Sequence, residues 1–305
     1  MSLKHFDEII AMVKSRPATK RVVLAAAQDH HSLQAIYRAK RDGLATPVLV
    51  GDEVKIHEIL AQLGESIEGE NLYHVPDREE AATKAVELIR KGKADFLMKG
   101  KLETAQLLRA VVKQETGLRT HRVMSHLAIL SVPTYHKLLA CTDGGMLLTP
   151  DLNQKRQLIE NAVEFLHRIG YQNPKVAVLA AAETVNPKMQ DSLDGAELKA
   201  MNQRGEITGC IIEGPISMDL SLAKEKAETK GYQSPVAGNA DLLVVPDITC
   251  GNVVTKAMVE LAGATMAGLV LGAKVPIILT SRASSTEEKY LSICLAAASC
   301  QSERA

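Results

Sequence analysis

The stretch DFLMKGKLETAQLLRAVVKQE, residues 95–115, contains both kinds of segment from which the chain is built. Its beginning, 95–100, is a short apolar run without polar alternation, which predicts a strand buried on both faces. Its end, 104–115, spaces apolar residues at the helical period and predicts a helix. Such strands, separated by helices, are typical of a largely parallel sheet, because the connecting helices cover both faces. The stretch therefore predicts an α/β fold.

The same alternation of apolar runs and helical segments continues along the chain. Helices are predicted at 3–14, 77–95 and 153–170, and strands or sheet-like segments at 21–28, 42–52, 121–130, 137–150, 175–181, 207–212, 241–246, 267–272 and 275–280. Ligands of parallel sheets bind beyond the carboxyl ends of the strands, where a loop leads into a helix. Polar residues at strand ends are therefore the candidates for chemistry.

Composition limits the classes of function. The 305 residues suffice for two domains of roughly one to two hundred residues each, and 46% are hydrophobic. Basic and acidic residues both number 36, so the zero net charge disfavours a broad electrostatic grip on nucleic acid or an anionic membrane. The N-terminus is unlike a signal peptide, and no apolar run reaches the roughly 20 residues of a membrane helix. A soluble, cytoplasmic protein is expected.

Several common site motifs are absent from the sequence. The five cysteines show no C-x-x-C spacing and the nine histidines no H-E-x-x-H arrangement, which disfavours a disulfide framework and a zinc site. A Walker A loop, a G-x-G-x-x-G loop after a strand and a G-x-S-x-G elbow are also missing. A Rossmann dehydrogenase is therefore poorly supported.

The first candidate strand end is MKGKLETAQLLR, residues 98–109. Lys99 and Lys101 flank Gly100, and Thr104 begins a predicted helix that contains Arg109. The free N–H groups of a helix N-terminus attract anions, and nearby cations add to this attraction. The segment is either an anion-binding site or a solvated lysine loop with a capping threonine.

The second candidate is VPDITCGNVVTK, residues 245–256. Gly251 and Asn252 precede a predicted helix. Glycine allows close approach of the backbone to a ligand, and Asn252 can cap the helix or donate to an oxyanion. An ordinary glycine turn with an asparagine cap explains the same pattern.

The third candidate is PIILTSRASSTEEK, residues 276–289. Ser281 and Arg282 follow a predicted strand, and a hydroxyl among residues 284–286 can cap the next helix, with Glu287 and Glu288 in its first turn. A capped helix explains the acids but not the arginine, which is a natural phosphate clamp at this position.

Taken in order, these stretches resemble the phosphate acetyl/butyryl transferase family over nearly the whole chain. The similar segments include ATPVLVGD, ADFLMKGKLETAQLLRAVV, TPDLNQKRQLIENAVEF, ETVNPKM, SPVAGNADLLVVPDITCGN and LVLGAKVPIILTSRASS. Within the family, MKG with LLRAVV, HLAIL, ETVNPKM and VPIILTSR are most similar to phosphate butyryltransferases. The resemblance implies a two-domain fold like that of isocitrate and isopropylmalate dehydrogenases, with mostly parallel sheets, flanking helices and an interdomain cleft. We expect residues 1–135 with 266–305 to form one domain and 136–265 the other.

The resemblance also implies the reaction and its participants. Butanoyl-CoA and phosphate would be converted reversibly into butanoyl phosphate and CoA, by direct transfer while both substrates are bound. CoA would be a substrate, with no tightly bound cofactor and no metal. The expected partners are acyl-CoA, phosphate and acyl phosphate, and the protein is expected to be a homo-oligomer, a dimer or larger.

Residue roles follow where the family motifs align. The family's serine–arginine pair falls on Ser281 and Arg282, and its general-base aspartate falls on Glu288, a carboxylate with a longer arm. Ser281 would donate a hydrogen bond to developing negative charge, and Arg282 would hold phosphate. The remaining predicted substrate contacts are Lys99, Thr104, Arg109, Gly251 and Asn252. A glutamate, Glu103, stands where the family has a histidine, which leaves that position without an assigned role.

Three alternatives stay open from the sequence. The chain could be a phosphate acetyltransferase, because acyl selectivity depends on the shape of the pocket. It could be a metabolite-binding protein on the same scaffold, an option favoured by Glu103 and Glu288. A decarboxylating dehydrogenase would need paired aspartates for a divalent metal and a nicotinamide site, and neither is evident.

Overall fold

A computed structural model describes residues 2–67, 69–281 and 283–300. The helices are α1 (Phe6–Lys14), α2 (His30–Arg41), α3 (Glu53–Leu63), α4 (Arg78–Arg90), α5 (Thr104–Val112), α6 (Leu152–Arg168), α7 (Gln190–Gln203), α8 (Met218–Leu222), α9 (Lys224–Thr229), α10 (Ile248–Ala262) and α11 (Thr286–Ser299). The strands are β1 (Lys20–Ala25), β2 (Ala45–Gly51), β3 (Leu72–His74), β4 (Phe96–Lys99), β5 (Ser125–Ser131), β6 (Leu139–Thr142), β7 (Lys175–Leu179), β8 (Ile211–Ile216), β9 (Leu242–Val244), β10 (Thr265–Leu271) and β11 (Ile277–Ile278). None of these helices is long and apolar enough to cross a membrane.

The first compact unit comprises Asp7–Arg122 and the residues from Ala267 onward. Its strands lie in the order β3-β2-β1-β4-β11-β10, and all neighbours are parallel except β10 and β11. Val22 to Ala25 of β1 are fully buried, as the unbroken apolar run in this strand predicts. Helix α11 packs against α2 and is buried from Lys289 to Ser299, so this helix is a core element of the unit.

The second unit comprises the residues up to Phe6 and Val123–Met266. Its strands lie in the order β5-β6-β9-β7-β8, where only the β5–β6 pair is antiparallel. The central strand β9 is apolar and buried throughout, and its Leu243 forms one core with Leu130, Leu179 and Leu220. Each unit is thus an α/β sandwich around a mostly parallel sheet, and the predicted fold class is confirmed.

The division of the chain differs from the predicted domain boundaries. Residues 123–135 were expected in the first domain, but β5 pairs with β6 and therefore belongs to the second unit. The N-terminal residues belong there too. The N–H of Leu3 donates to the hydroxyl oxygen of Tyr171, and the carbonyl oxygen of Leu3 accepts from the N–H of Leu138. Both differences arise from contacts between residues distant in sequence, which local patterns do not reveal.

Several predicted strands also differ in extent, and two of them serve as examples. The strand expected at 207–212 begins at Ile211 and continues to Ile216, and the one expected at 275–280 contains only Ile277 and Ile278. Leu279, Thr280 and Ser281 consequently lie outside regular secondary structure.

Candidate functional site

The carboxyl ends of β1, β4 and β11 meet at one edge of the first unit's sheet. In the register of the parallel strands, Ala25 lies beside Lys99 and Ile278 lies beside Met98. Lys99 is the last residue of β4, and Ser281 follows β11 by three residues. The fold therefore brings these two predicted site residues to neighbouring strand ends, where α/β sheets bind ligands.

Close packing of backbone shapes this edge. Gly100 lies so near β1 that a Cβ there would come within 2.3 Å of the carbonyl oxygen of Ala26. Ala26 itself has φ of 55°, a left-handed conformation that is uncommon for a residue other than glycine. Such conformations persist where the surrounding structure enforces them, often next to functional sites. Nothing in the local sequence indicates this conformation of Ala26, so the residue could not be predicted as part of this edge.

Lys99 is buried rather than solvated. Its side chain is directed along the loop after β4, where Nζ donates to the carbonyl oxygen of Leu102 at 3.3 Å. Of the alternatives for this segment, a solvated lysine loop is therefore wrong for Lys99, although Lys101 is exposed. A buried ammonium held by carbonyl groups is a fixed positive charge at the strand end.

Helix α5 begins next to this charge, with Glu103 rather than Thr104 as its N-cap. The N–H of Glu103 donates to Oε1 of Gln106 at 2.9 Å, and the Glu103 carboxylate accepts from the backbone N–H of Gln106, which completes a capping box. The alternative with a capping threonine is therefore wrong, and Thr104 is the exposed first residue of the helix. Capping also gives Glu103, which stands where the family has a histidine, a structural role.

Arg109 lies in the last turn of α5, away from the N-terminus of the helix. Its guanidinium is exposed and pairs with the carboxylate of Glu79 on α4. Arg109 is thus already engaged on the surface, and its predicted contact with phosphate stays a prediction.

Ser281 is exposed at the strand end, and its Oγ accepts a 3.3 Å hydrogen bond from the N–H of Ala283. Because the oxygen accepts there, the hydroxyl hydrogen can be donated to another acceptor. Arg282, the predicted phosphate clamp, lies outside the described residues.

The start of α11 matches the sequence pattern. Ser285 is the N-cap, and its Oγ accepts from the N–H of Glu288 at 3.1 Å. The carboxylate of Glu287 pairs with Arg38 at the surface. Glu288 is half-buried, and burial raises the pKa of its carboxyl, an effect opposed by a hydrogen bond with Ser284 and by the charge of the neighbouring lysine. The two adjacent acids therefore have different environments.

That neighbouring lysine, Lys289, was missed in the sequence analysis. It is buried, and Nζ donates to Oγ1 of Thr280 at 2.9 Å. Burial lowers the pKa of Lys289, and the charges of Asp29 and Glu288 oppose this decrease. A lysine in a helix otherwise buried against the core was the only available signal.

The Gly251–Asn252 segment lies in the second unit, inside α10. This helix begins at Ile248 and is capped by Asp247, which accepts from the N–H of Cys250 at 2.8 Å. The alternative in which Asn252 caps a following helix is therefore wrong, and its role as a donor to substrate stays a prediction. Gly251 does permit close approach of the backbone, but the group that approaches it is another part of the chain and not a ligand. A Cβ on Gly251 would lie 2.7 Å from Cα of Gly144.

The residues that Gly251 approaches form a loop after β6, and this loop contains a buried carboxylate, Asp143. Its two oxygens accept four backbone N–H groups, including that of Gly145 at 2.7 Å. Asp143 was also missed, and the Asp-Gly-Gly sequence was its only local signal. Among the described residues, no three His, Cys, Asp or Glu side chains are grouped as a metal site would require.

Comparisons with known proteins agree with this architecture. The family model described as "Phosphate acetyl/butaryl transferase" matches residues 5–81 and 74–297. A phosphate butyryltransferase from Clostridium acetobutylicum is 42% identical over 97% of this chain and 98% of its own length. A phosphate acetyltransferase from Thermotoga maritima is 43% identical over 95% of this chain and 98% of its own.

Among solved structures, a branched-chain phosphotransacylase from Enterococcus faecalis V583 superposes with a TM-score of 0.80. It is 31% identical, and the match covers 92% of this chain and 99% of that one. The family model and these relatives each span most of the chain. The chain therefore belongs to the phosphate acetyl/butyryl transferase family, whose members transfer acyl groups between CoA and phosphate.

Proposed function

We propose that the protein is a phosphate butyryltransferase, which transfers a butanoyl group reversibly between CoA and inorganic phosphate. The observation that supports a phosphate-directed site most strongly is the sheet edge where the paired strands β4 and β11 end, with buried Lys99 at the end of β4, α5 following it and Ser281 three residues after β11. Fixed positive charge and a helix N-terminus both favour an anion.

In the direction of acyl-CoA synthesis, Glu288 accepts the proton of the CoA thiol. The raised pKa of its carboxyl moves it toward the thiol pKa, which lies near 8.5 for a free cysteine, and so improves proton transfer. The sulfur then forms a bond to the carbonyl carbon of butanoyl phosphate. The carbon–oxygen bond to phosphate breaks, and the phosphate leaves with the electron pair.

Ser281 acts as a hydrogen-bond donor in this scheme and not as a nucleophile. Its exposed hydroxyl donates to the negative charge that develops on the reacting atoms, a contribution of about 3–4 kcal/mol for one donor. Arg282 and Lys99 hold the phosphate, with Thr104 and Arg109 as lesser contacts. Gly251 and Asn252 keep the substrate-binding role that the family resemblance gives them.

The finer assignments rest on the relatives. CoA and short-chain acyl groups as substrates, a homo-oligomeric state and a cytoplasmic location are inferred from the family. The Thermotoga maritima relative, named phosphate acetyltransferase, favours acetyl transfer as the competing specificity. Light scattering of the purified protein tests the oligomeric state.

The acyl specificity is tested with phosphate and a series of straight-chain acyl-CoAs of two to six carbons. Thiol release is followed with a chromogenic disulfide. Because one methylene in an apolar pocket discriminates about 10- to 200-fold, we expect kcat/KM to be at least about tenfold higher for butanoyl-CoA than for acetyl-CoA. The highest value with acetyl-CoA overturns the butanoyl assignment. No release with any acyl chain favours a metabolite-binding protein.

A further inference from the structure

We propose that Asp143 is a positioning residue that holds Asn252 in place through the loop after β6. This inference deepens the proposed function, because it rests on Asn252 being a substrate contact. The loop, residues 143–148, follows β6 at the point where Thr142 pairs with Val244 of β9. The segment that leads from β9 into α10 is therefore its direct neighbour.

The Asp143 carboxylate determines the shape of this loop. Oδ1 accepts from the N–H groups of Gly145 at 2.7 Å and Met146 at 2.9 Å. Oδ2 accepts from Leu147 at 3.3 Å and from His126 of β5 at 3.1 Å. Only a carboxylate can accept on both oxygens, so both sides of the loop depend on its charge.

The loop in turn contacts the start of α10 along its length. The carbonyl of Leu148 accepts from the N–H of Ile248 at 3.1 Å, and the carbonyl of Gly144 accepts from Nδ2 of Asn252 at 3.4 Å. Between these points the backbones of Gly144 and Gly251 touch, and a Cβ added to either would come within 2.9 Å of the other's backbone. A shift of the loop is therefore transmitted to Asn252 directly.

The proposal is tested with Asp143→Asn, which keeps the size of the side chain. One of the two oxygens becomes an NH₂ group and then faces two N–H donors. Asp151→Asn is the matched control, because that N-cap accepts a single hydrogen bond, from Gln154, and asparagine caps as well as aspartate. Gly144→Ala moves the loop without changing a charge, and Gly69→Ala, where a Cβ meets open space, is its control.

Two measurements are made on each variant. The first is hydrogen exchange of the peptides covering 143–148 and 248–255. We expect both peptides to exchange faster in Asp143→Asn and in Gly144→Ala, and neither to do so in the two control variants. The second is a double-mutant cycle with Asn252→Ala. We expect Asp143→Asn to lower kcat/KM about tenfold or more. The change should lie in the same parameter, kcat or KM, that Asn252→Ala changes. In a protein that already contains Asn252→Ala, Asp143→Asn should have little further effect.

Each outcome decides between the alternatives. Unchanged exchange at 248–255 in both variants overturns the positioning role, and so does an equal loss with and without Asn252. If Asp143→Asn fails to fold, the Gly144→Ala cycle decides in the same way. If Asn252→Ala alone retains full activity, the substrate role of Asn252 is wrong, and the exchange data still test whether Asp143 positions it.

Discussion

Nζ of Lys289 donates a 2.9 Å hydrogen bond to Oγ1 of Thr280, and both side chains are buried. Thr280 immediately precedes Ser281, and Lys289 lies in the first turns of α11. The bond thus joins the residue that precedes Ser281 to α11. A buried donor at this point fixes the position of Thr280 and so limits where Ser281 can lie.

Replacement of Lys289 by methionine should affect both stability and catalysis. It removes the donor and leaves the buried hydroxyl of Thr280 without this partner, which costs about 1–3 kcal/mol in the free energy of unfolding. We expect kcat to fall as well, because Ser281 loses a fixed neighbour. Urea denaturation and the thiol-release assay measure the two effects. Lys14→Met, at an exposed position, is the control, and equal behaviour of the two variants contradicts the role of Lys289.

The pH dependence of the reaction should identify the general base. Because burial raises the pKa of Glu288, the base form is lost, as pH falls, at a higher pH than for an ordinary glutamate, whose pKa is about 4.3. We expect kcat/KM to decrease through that raised pKa on acidification. Glu288→Gln should abolish this limb and most activity, whereas Glu287→Gln, at the residue paired with Arg38, should keep both.

The length of the Glu288 side chain is a separate question, since the family has an aspartate at this position. If the carboxylate reaches the thiol in either form, Glu288→Asp should retain activity to within about tenfold, the effect expected of a base that remains in hydrogen-bond range. A loss as large as that of Glu288→Gln would show that the glutamate arm is required. Steady-state kinetics with the best acyl-CoA distinguishes the two results.

Ser281→Ala should slow the chemical step without a comparable effect on substrate binding. Removal of one hydrogen-bond donor to developing charge costs about 10²–10³ in kcat. Direct transfer is tested in the wild-type protein, where mass spectrometry after incubation with acyl phosphate should detect no acyl group on Ser281. An acylated Ser281 would instead establish a nucleophile, and undiminished turnover of Ser281→Ala would remove the residue from the mechanism.

Much of this site could be predicted because parallel strands impose a simple rule. Lys99 ends β4 and Ser281 follows the end of the neighbouring strand β11, and because the carboxyl ends of parallel strands lie at one edge, their location at one edge follows once the strands are recognised. The Ser285 cap is similarly local, since its hydroxyl bonds to a backbone N–H three residues later.

The features that could not be predicted depend on distant partners. Asp143 accepts from His126, 17 residues earlier, and its loop packs against Gly251, so no local pattern shows the function of its carboxylate. The pKa of Lys289 likewise depends on the charge of a residue distant in sequence, Asp29, which is the N-cap of α2. The adjacent residues Glu103 and Thr104 are both able to cap α5. In the structure Glu103 is the cap, and its N–H donates to the side chain of Gln106.

A buried ion pair in the second unit should contribute strongly to stability. Nζ of Lys137 lies 2.5 Å from Oδ1 of Asp241, and both side chains are less than 5% exposed. Lys137→Met leaves the carboxylate buried without its cation, so we expect a loss of about 3–5 kcal/mol in the free energy of unfolding. Lys224→Met breaks only an exposed pair with Glu228 and should change stability by less than about 1 kcal/mol. Equal denaturation midpoints for the two variants would contradict this ranking.

The stability of the protein should also depend on His126 at mildly acidic pH. Burial lowers the pKa of this imidazole, although the charge of Asp143 opposes the decrease, so the folded protein keeps it neutral below the ordinary value of about 6.5. The unfolded chain binds this proton first as pH falls. The free energy of unfolding therefore decreases on acidification from about 6.5 until the lowered pKa is reached.

His126→Gln removes the titrating group, so the decrease in stability below about pH 6.5 should become shallower than in the wild type. The measurement is urea denaturation at a series of pH values between about 5 and 8. His121→Gln, at an exposed histidine, should leave the slope unchanged. A slope that is the same in all three proteins would mean that His126 has the same proton affinity in the folded and unfolded states, in conflict with its half-buried position beside the Asp143 loop.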